Sequence, residues 1–162
     1  MNKKTMGTIE GMVFGRYRPE ELNDIFSFLS ADEMGGLFAY LEFREWQSAE
    51  VVMRIGDPAD FMGFLVEGKL AVKMEGIFPG KLILVAVLER GSLVGETSVV
   101  GGGCRHATVI ATEKSHLLIL SREKMELLLA QAPALGLKFF RRIIRVLGCR
   151  LGKASDRLSQ LL

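Results

Sequence analysis

Between Gly95 and Val109 the chain reads G-E-T-S-V-V-G-G-G-C-R-H-A-T-V: an acid beside a glycine, a glycine-rich tip, then an isolated arginine. A short helix opening after Gly95 would point its free backbone N–H groups at an anion. Gly101, Gly102 and Gly103 can take positive φ and let the backbone bend close around a ligand. Arg105 supplies the charge, because a planar guanidinium can grip two phosphate oxygens at once. An ionised Glu96 is an acceptor only, which suits the hydroxyl of a sugar. Phosphate and ribose chemistry side by side point to a nucleotide. Taken alone, the same residues also suit a solvated hairpin tip, so the surrounding sequence has to decide.

Upstream, Gly56, Asp57 and Ala59 form a glycine-acid turn leading into Phe64-Leu65-Val66-Glu67-Gly68-Lys69-Leu70, a strand that ends in a glycine hairpin. Leu82 to Leu88 is a second apolar strand, Gly91 a further turn, and Arg105-His106-Ala107-Thr108 closes the stretch begun at Gly95-Glu96. In this order the segment from Ile55 to Thr108 resembles the cyclic-nucleotide-binding domain family, the sensor module of catabolite activator proteins and of the regulatory subunits of cyclic-nucleotide-dependent kinases. The resemblance implies that 95–109 is a phosphate-binding cassette. Glu96 would hold the ribose 2′-hydroxyl and Arg105 the cyclic phosphate, with backbone N–H groups at Ala107 and near Thr97 and Ser98 completing a cradle bounded by Gly95, His106 and Thr108. The ligand implied is cyclic AMP or cyclic GMP. There are three departures from the family: Cys104 stands where proline is usual, His106 replaces a small residue, and three glycines occupy the tip.

The elements that must position the cassette can be read on either side of it. Pro19 suits a first helical turn, and Leu22, Ile25, Phe26 and Leu29 recur at helical spacing. Ser30 with Glu33 forms a capping box for a helix whose apolar face is Met34, Leu37, Phe38 and Leu41. From Glu42 to Leu120 the pattern changes to short β-prone runs, Val51-Val52-Met53, Phe64 to Val72, Leu82 to Leu88, Thr108 to Ala111 and Leu117 to Leu120, with turn signals between them. Such strands predict a double-stranded jelly-roll or β-roll. Ser121 caps a helix over Arg122 to Gln131, and Pro133 opens the last one. The expected organisation is one domain over 1–162, mainly β: a helical lead-in (1–41), a β-roll (42–120) and C-terminal helices (121–162).

The last helix carries a second pattern. Phe140, Ile144, Leu147, Leu151, Ala154, Leu158 and Leu161 alternate at four-three spacing, the seam of a coiled coil. This predicts a homodimer, although a helix packing on its own roll would show a similar stripe. Lys138, Arg141, Arg142, Arg145 and Lys153 make the helix basic, which reads first as a solvated face. In the resembled family this helix closes over the base of the nucleotide. By count from Pro133, Arg150 falls where a guanidinium could stack on a purine, and Ala132-Pro133 is the expected hinge.

With 162 residues, 49% of them hydrophobic, 25% charged and net +2, the chain has the composition of one globular domain with a sizeable core. No apolar run reaches bilayer length. The basic Met1-Asn2-Lys3-Lys4 start lacks a following apolar run, which argues against a secretory signal and for the cytoplasm. Cys104 and Cys149 then read as free thiols. No catalytic constellation emerges. His106 and His116, ten residues apart, make a weak metal pair even with Cys104, and two thiols do not hold an iron–sulfur cluster. No helix-turn-helix is expected after the last helix, so any effect on DNA would be indirect and through a separate partner. The leading reading is a dimeric cyclic-nucleotide sensor. Its alternatives are a ligand-independent dimerisation domain on the same fold and a redox- or metal-responsive protein using Cys104.

Overall fold

The computed structural model describes residues 16–161, with the side chains of 98–100 outside the description; Met1-Asn2-Lys3-Lys4 lies outside it. Eight strands in two four-stranded antiparallel sheets form the roll. One sheet has the order β1 (Glu42–Trp46), β8 (Ser115–Ser121), β3 (Phe61–Glu67), β6 (Leu93–Val94). The other runs β2 (Val51–Met53), β7 (Thr108–Ala111), β4 (Leu70–Glu75), β5 (Leu82–Leu88). Four α-helices flank them: α1 (Ala31–Phe38), α2 (Glu96–Gly101), α3 (Arg122–Gln131) and α4 (Pro133–Ser159). The roll with flanking helices is the fold class expected.

The central strands β3 and β8 are buried at almost every position because both their faces are covered. Met62, Phe64, Val66, Leu118 and Leu120 pack outward beneath the helices with Leu22, Phe26, Leu37, Phe38, Leu128 and Phe139. Leu65, Leu117 and Ile119 point the other way, between the sheets, against Leu70, Val94, Val109 and Ala111. Two-sided burial turns the usual alternation of an antiparallel strand into a continuous run.

Local signals set most of the ends. Ser30 Oγ accepts from Glu33 N at 3.3 Å while Ser30 N donates to Glu33 Oε2 at 2.9 Å, the reciprocal cap of α1. Ser121 Oγ accepts from Lys124 N at 3.1 Å and caps α3. At Ala132 (φ −138°, ψ 64°) helical geometry breaks, and Pro133 restarts it as α4. The glycine hairpin expected after the Phe64 strand is the β3–β4 turn at Gly68. There φ is +91° and a Cβ would lie 2.5 Å from the Lys114 carbonyl, so only glycine fits.

The lead-in differs from expectation. Pro19–Leu22 is a 3-10 turn, and turns rather than an α-helix continue to 28. Leu22, Ile25 and Phe26 are nonetheless buried, brought inward by Ile25 N and Phe26 N donating to Leu22 O, both at 3.0 Å. Asn23 and Asp24 favour local turns over helix, and Asp24 is held by Arg90 (Nη2 to Oδ1 2.8 Å), which also donates to Glu21 O at 2.6 Å. The helical spacing marked a buried face, but one built from successive turns.

Candidate functional site

The cassette is built from β6, Gly95, α2 and the loop entering β7. Gly95 takes φ +77°, and a Cβ there would meet Arg105 Nη1 at 2.7 Å and Met53 Cε at 2.6 Å. Glycine is therefore required for the turn and for the close approach of Arg105 alike. Gly102 and Gly103 also have positive φ (70° and 98°), whereas Gly101, expected to join them, closes α2 in helical geometry. Glu96, Thr97 and Ser98 are the first three residues of α2, whose N–H groups have no intrahelical acceptors.

The second half of the cassette is braced by the 55–59 loop. Gly56 N donates to Arg105 O (2.9 Å), Arg105 N to Asp57 O (2.8 Å) and Ala59 N to Gly103 O (3.0 Å). Buried Thr108 accepts from Ile55 N through its hydroxyl at 3.0 Å, so that side chain is engaged within the protein. Ala107 is half-buried, and Thr97, Cys104 and His106 are exposed.

Arg105 is a buried cation, its side chain 3% exposed. Its Nη2 donates to Phe61 O at 2.6 Å and reaches Asp60 Oδ1 at only 3.4 Å, Nη1 reaches Gly95 O at 3.4 Å, and the guanidinium lies 4.7 Å from the Phe61 ring centroid. Burial pushes its pKa below the ordinary arginine value, opposed by the carboxylates of Asp60 and Asp57. A buried guanidinium with two long contacts is unspent capacity for an anion. A cleft of about 250 Å³ opens beside it, lined in part by Met53, Arg54, Asp57, Asp60 and Phe61; Glu96 and Arg150 are not among its walls.

Glu96 is equally buried, 2% exposed, and is ion-paired with Arg150 of α4, whose Nη2 also donates to Leu93 O at 2.5 Å. Arg150 was expected near a base; here it lies on the carboxylate assigned to the ribose. Sequence reasoning also missed Asp60 and Phe61 as the supports of Arg105. The only signal available was the acid and aromatic following the Gly56 turn.

His116, the second residue of β8, sits at that strand's end and is fully buried. Its Nδ1 lies 2.5 Å from Tyr17 Oη and its Nε2 3.0 Å from Glu45 Oε2, so both ring nitrogens are engaged. Of the α4 seam, Phe140 and Leu147 pack partly against the chain's own core, whereas Ile144, Leu151, Leu158 and Leu161 are 60–83% exposed.

The profile of the cyclic nucleotide-binding domain family matches residues 43–132, from the second residue of β1 through α3. The chain belongs to the cyclic nucleotide-binding domain family. A putative potassium channel protein of Rhodopseudomonas palustris is 31% identical over 114 residues, 70% of this chain and 27% of that protein. The curated relatives it matches are thus about four times the length of the matched region. Among solved structures, a cyclic nucleotide-binding domain from Methylobacillus flagellatus superposes with a TM-score of 0.81 at 26% identity, covering 88% of this chain and 83% of the other. The catabolite activator protein of Thermus thermophilus superposes with 0.70 at 26% identity, covering 85% and 62%. In this cyclic nucleotide-binding domain no helix among the described residues is long and apolar enough to cross a membrane.

Proposed function

We propose that the domain is a sensor that binds cyclic AMP or cyclic GMP, with Arg105 on the cyclic phosphate and Glu96 on the ribose 2′-hydroxyl. The observation that carries this reading is a buried guanidinium and a buried carboxylate held at opposite ends of one glycine-bounded cassette, each satisfied by groups that a ligand could replace. The free N–H groups at Thr97 and Ser98 and that of Ala107 complete the phosphate cradle, with Gly95, His106 and Thr108 framing it.

Binding and signalling are coupled through Arg150. A ribose hydroxyl can donate to Glu96 only where Arg150 has withdrawn, and Arg150 withdraws with α4, pivoting at the break before Pro133. The nucleotide therefore prefers one arrangement of α4, which differential binding requires. The released helix pairs through Ile144, Leu151, Leu158 and Leu161 with the same helix of a second copy, joined by Phe140, Leu147 and Ala154. The state of that pair is read by an effector, at work in a reducing cytoplasm that suits free Cys104 and Cys149.

Calorimetric titration with each nucleotide tests the binding site: saturable heat in the wild type that Arg105→Ala abolishes and Arg105→Lys only weakens supports it. No heat with either nucleotide rejects the sensor reading and leaves a dimerisation domain. Sedimentation equilibrium of Ile144→Glu/Leu151→Glu reads the seam, and an unchanged mass would reject it.

A further inference from the structure

Half of the exposed large apolar side chains among the described residues, seven of fourteen, lie between Met74 and Val87 on the β4–β5 hairpin. The hairpin projects beyond the Glu75↔Leu82 pair, and at its apex Ile77 is 96% and Phe78 71% exposed. Neither α4 nor the cassette covers them.

The apex is preorganised. Gly76 N donates to Lys81 O at 2.8 Å, Lys81 N to Phe78 O at 3.2 Å, and Gly80 N to the Glu75 carboxylate at 3.0 Å. Pro79 has no N–H to satisfy. Three of the tip's five backbone N–H groups, those of Gly76, Gly80 and Lys81, are thus spent internally, which lowers the cost of leaving bulk water. Glu75, the acid nearest the tip, is bonded to Gly80, while Lys73 and Lys81 stand at the base of the apex.

We propose that this hairpin docks on an anionic lipid surface, with Ile77 and Phe78 entering the interface and Lys73 and Lys81 meeting headgroup phosphates. The shape favours a bilayer over a protein. The most exposed side chains, Ile77 and Phe78, stand on a protruding apex that cannot match a partner over the roughly 1,000 Å² that a specific protein interface buries, whereas a bilayer accepts a protruding tip without a complementary pocket. Met74, Leu82, Ile83 and Leu84, 39–58% exposed, continue the apolar surface behind the tip and limit the tilt at which it can enter. Binding of this kind scales with apolar area plus attraction to anionic lipid.

Co-sedimentation of the purified full chain with vesicles of phosphatidylcholine alone, or mixed with phosphatidylglycerol, tests it. The wild type is expected to partition onto the anionic vesicles. Ile77→Asp/Phe78→Asp should lose about tenfold or more of the partition coefficient with an unchanged circular dichroism spectrum. In Phe78→Trp, anionic vesicles should shift the fluorescence to the blue relative to the wild type. No partitioning of the wild type overturns the proposal. So does partitioning that the double Asp variant retains, which would assign it to the basic face of α4. A change in sedimentation mass in the double variant with vesicle binding unaltered also overturns it, in favour of a contact between copies.

Discussion

Removing the Arg150 guanidinium separates a latch from a ligand contact, because the two roles predict opposite signs. Arg150 donates to the Glu96 carboxylate and to Leu93 O. Hydrogen bonds with a charged partner contribute about 1.5–3 kcal/mol each when well shielded, but the Arg150 side chain is 40% exposed. Solvent screening and side-chain entropy reduce the net latch to about 1–1.5 kcal/mol. With a factor of ten for each ~1.4 kcal/mol, the latch is closed in roughly nine molecules of ten. A ligand that needs it open then binds about tenfold below its intrinsic affinity. Arg150→Ala should therefore lower the Kd for the cyclic nucleotide about five- to tenfold in a calorimetric titration. The unpaired buried Glu96 adds to the gain, since the ribose hydroxyl then becomes its best available partner. Arg150→Lys, which keeps the charge but not the forked geometry, should fall between. Weaker binding in Arg150→Ala would refute the latch and assign Arg150 to the ligand itself, stacked on the base; an unchanged Kd would uncouple α4 from the ribose end.

Gly95→Ala places a Cβ 2.7 Å from Arg105 Nη1 at φ +77°; it should cost about 1–2 kcal/mol in a thermal or denaturant melt from backbone strain and weaken nucleotide binding about tenfold or more as Arg105 is displaced. Glu67, bonded first by the Tyr17 hydroxyl and then by Arg16, has its pKa lowered from 4.5 to about 2. A depressed carboxylate stabilises the fold fully above its unfolded value and loses that contribution as pH falls through the folded one. Melting temperature should accordingly drop between about pH 4.5 and 2 more steeply than in Glu67→Gln, and parallel profiles would exclude Glu67 as a cause.

What could be read from the residues was whatever rests on local chemistry. The bounds of α3, Arg122–Gln131, follow from the Ser121 cap and from Pro133 beyond it, and those of β5 and β7 from uninterrupted apolar or β-branched runs. β1 went unrecognised as a strand because Glu-Phe-Arg-Glu-Trp is charged at three of its five positions, as an edge strand with one covered face can be. β6 is two residues long, too short to carry a pattern. Glu96 and Arg105 stood out because glycine geometry and charge coincide around them. Their present partners did not, since Phe61 lies 44 residues from Arg105 and Arg150 lies 54 from Glu96. Those pairings depend on how the roll curls and how α4 crosses it, which no window of sequence encodes. The partners of His116 were out of reach for the same reason: Tyr17, Glu45 and Glu67 arrive from three separate segments.

The cassette satisfies both of its buried charges with protein groups that a nucleotide could replace. The Phe61 carbonyl and Asp60 carboxylate stand where Arg105 would take phosphate oxygens, and the Arg150 guanidinium donates to Glu96 as a ribose hydroxyl would. The two imitations are unequal. At Arg105 two of the three contacts are 3.4 Å long and the only carboxylate among them is 75% exposed, so a phosphate displaces little and gains a desolvated cation. At Glu96 the substitute is a charged, forked group on a helix of 27 residues, so displacing it moves a structural element rather than a side chain. In the proposed sensor, affinity would therefore reside mainly at the phosphate end and regulation at the ribose end. A ligand carrying the phosphate but lacking the 2′-hydroxyl, such as a 2′-deoxy cyclic nucleotide, should bind through Arg105 yet leave Arg150 on Glu96 and α4 where that pair holds it.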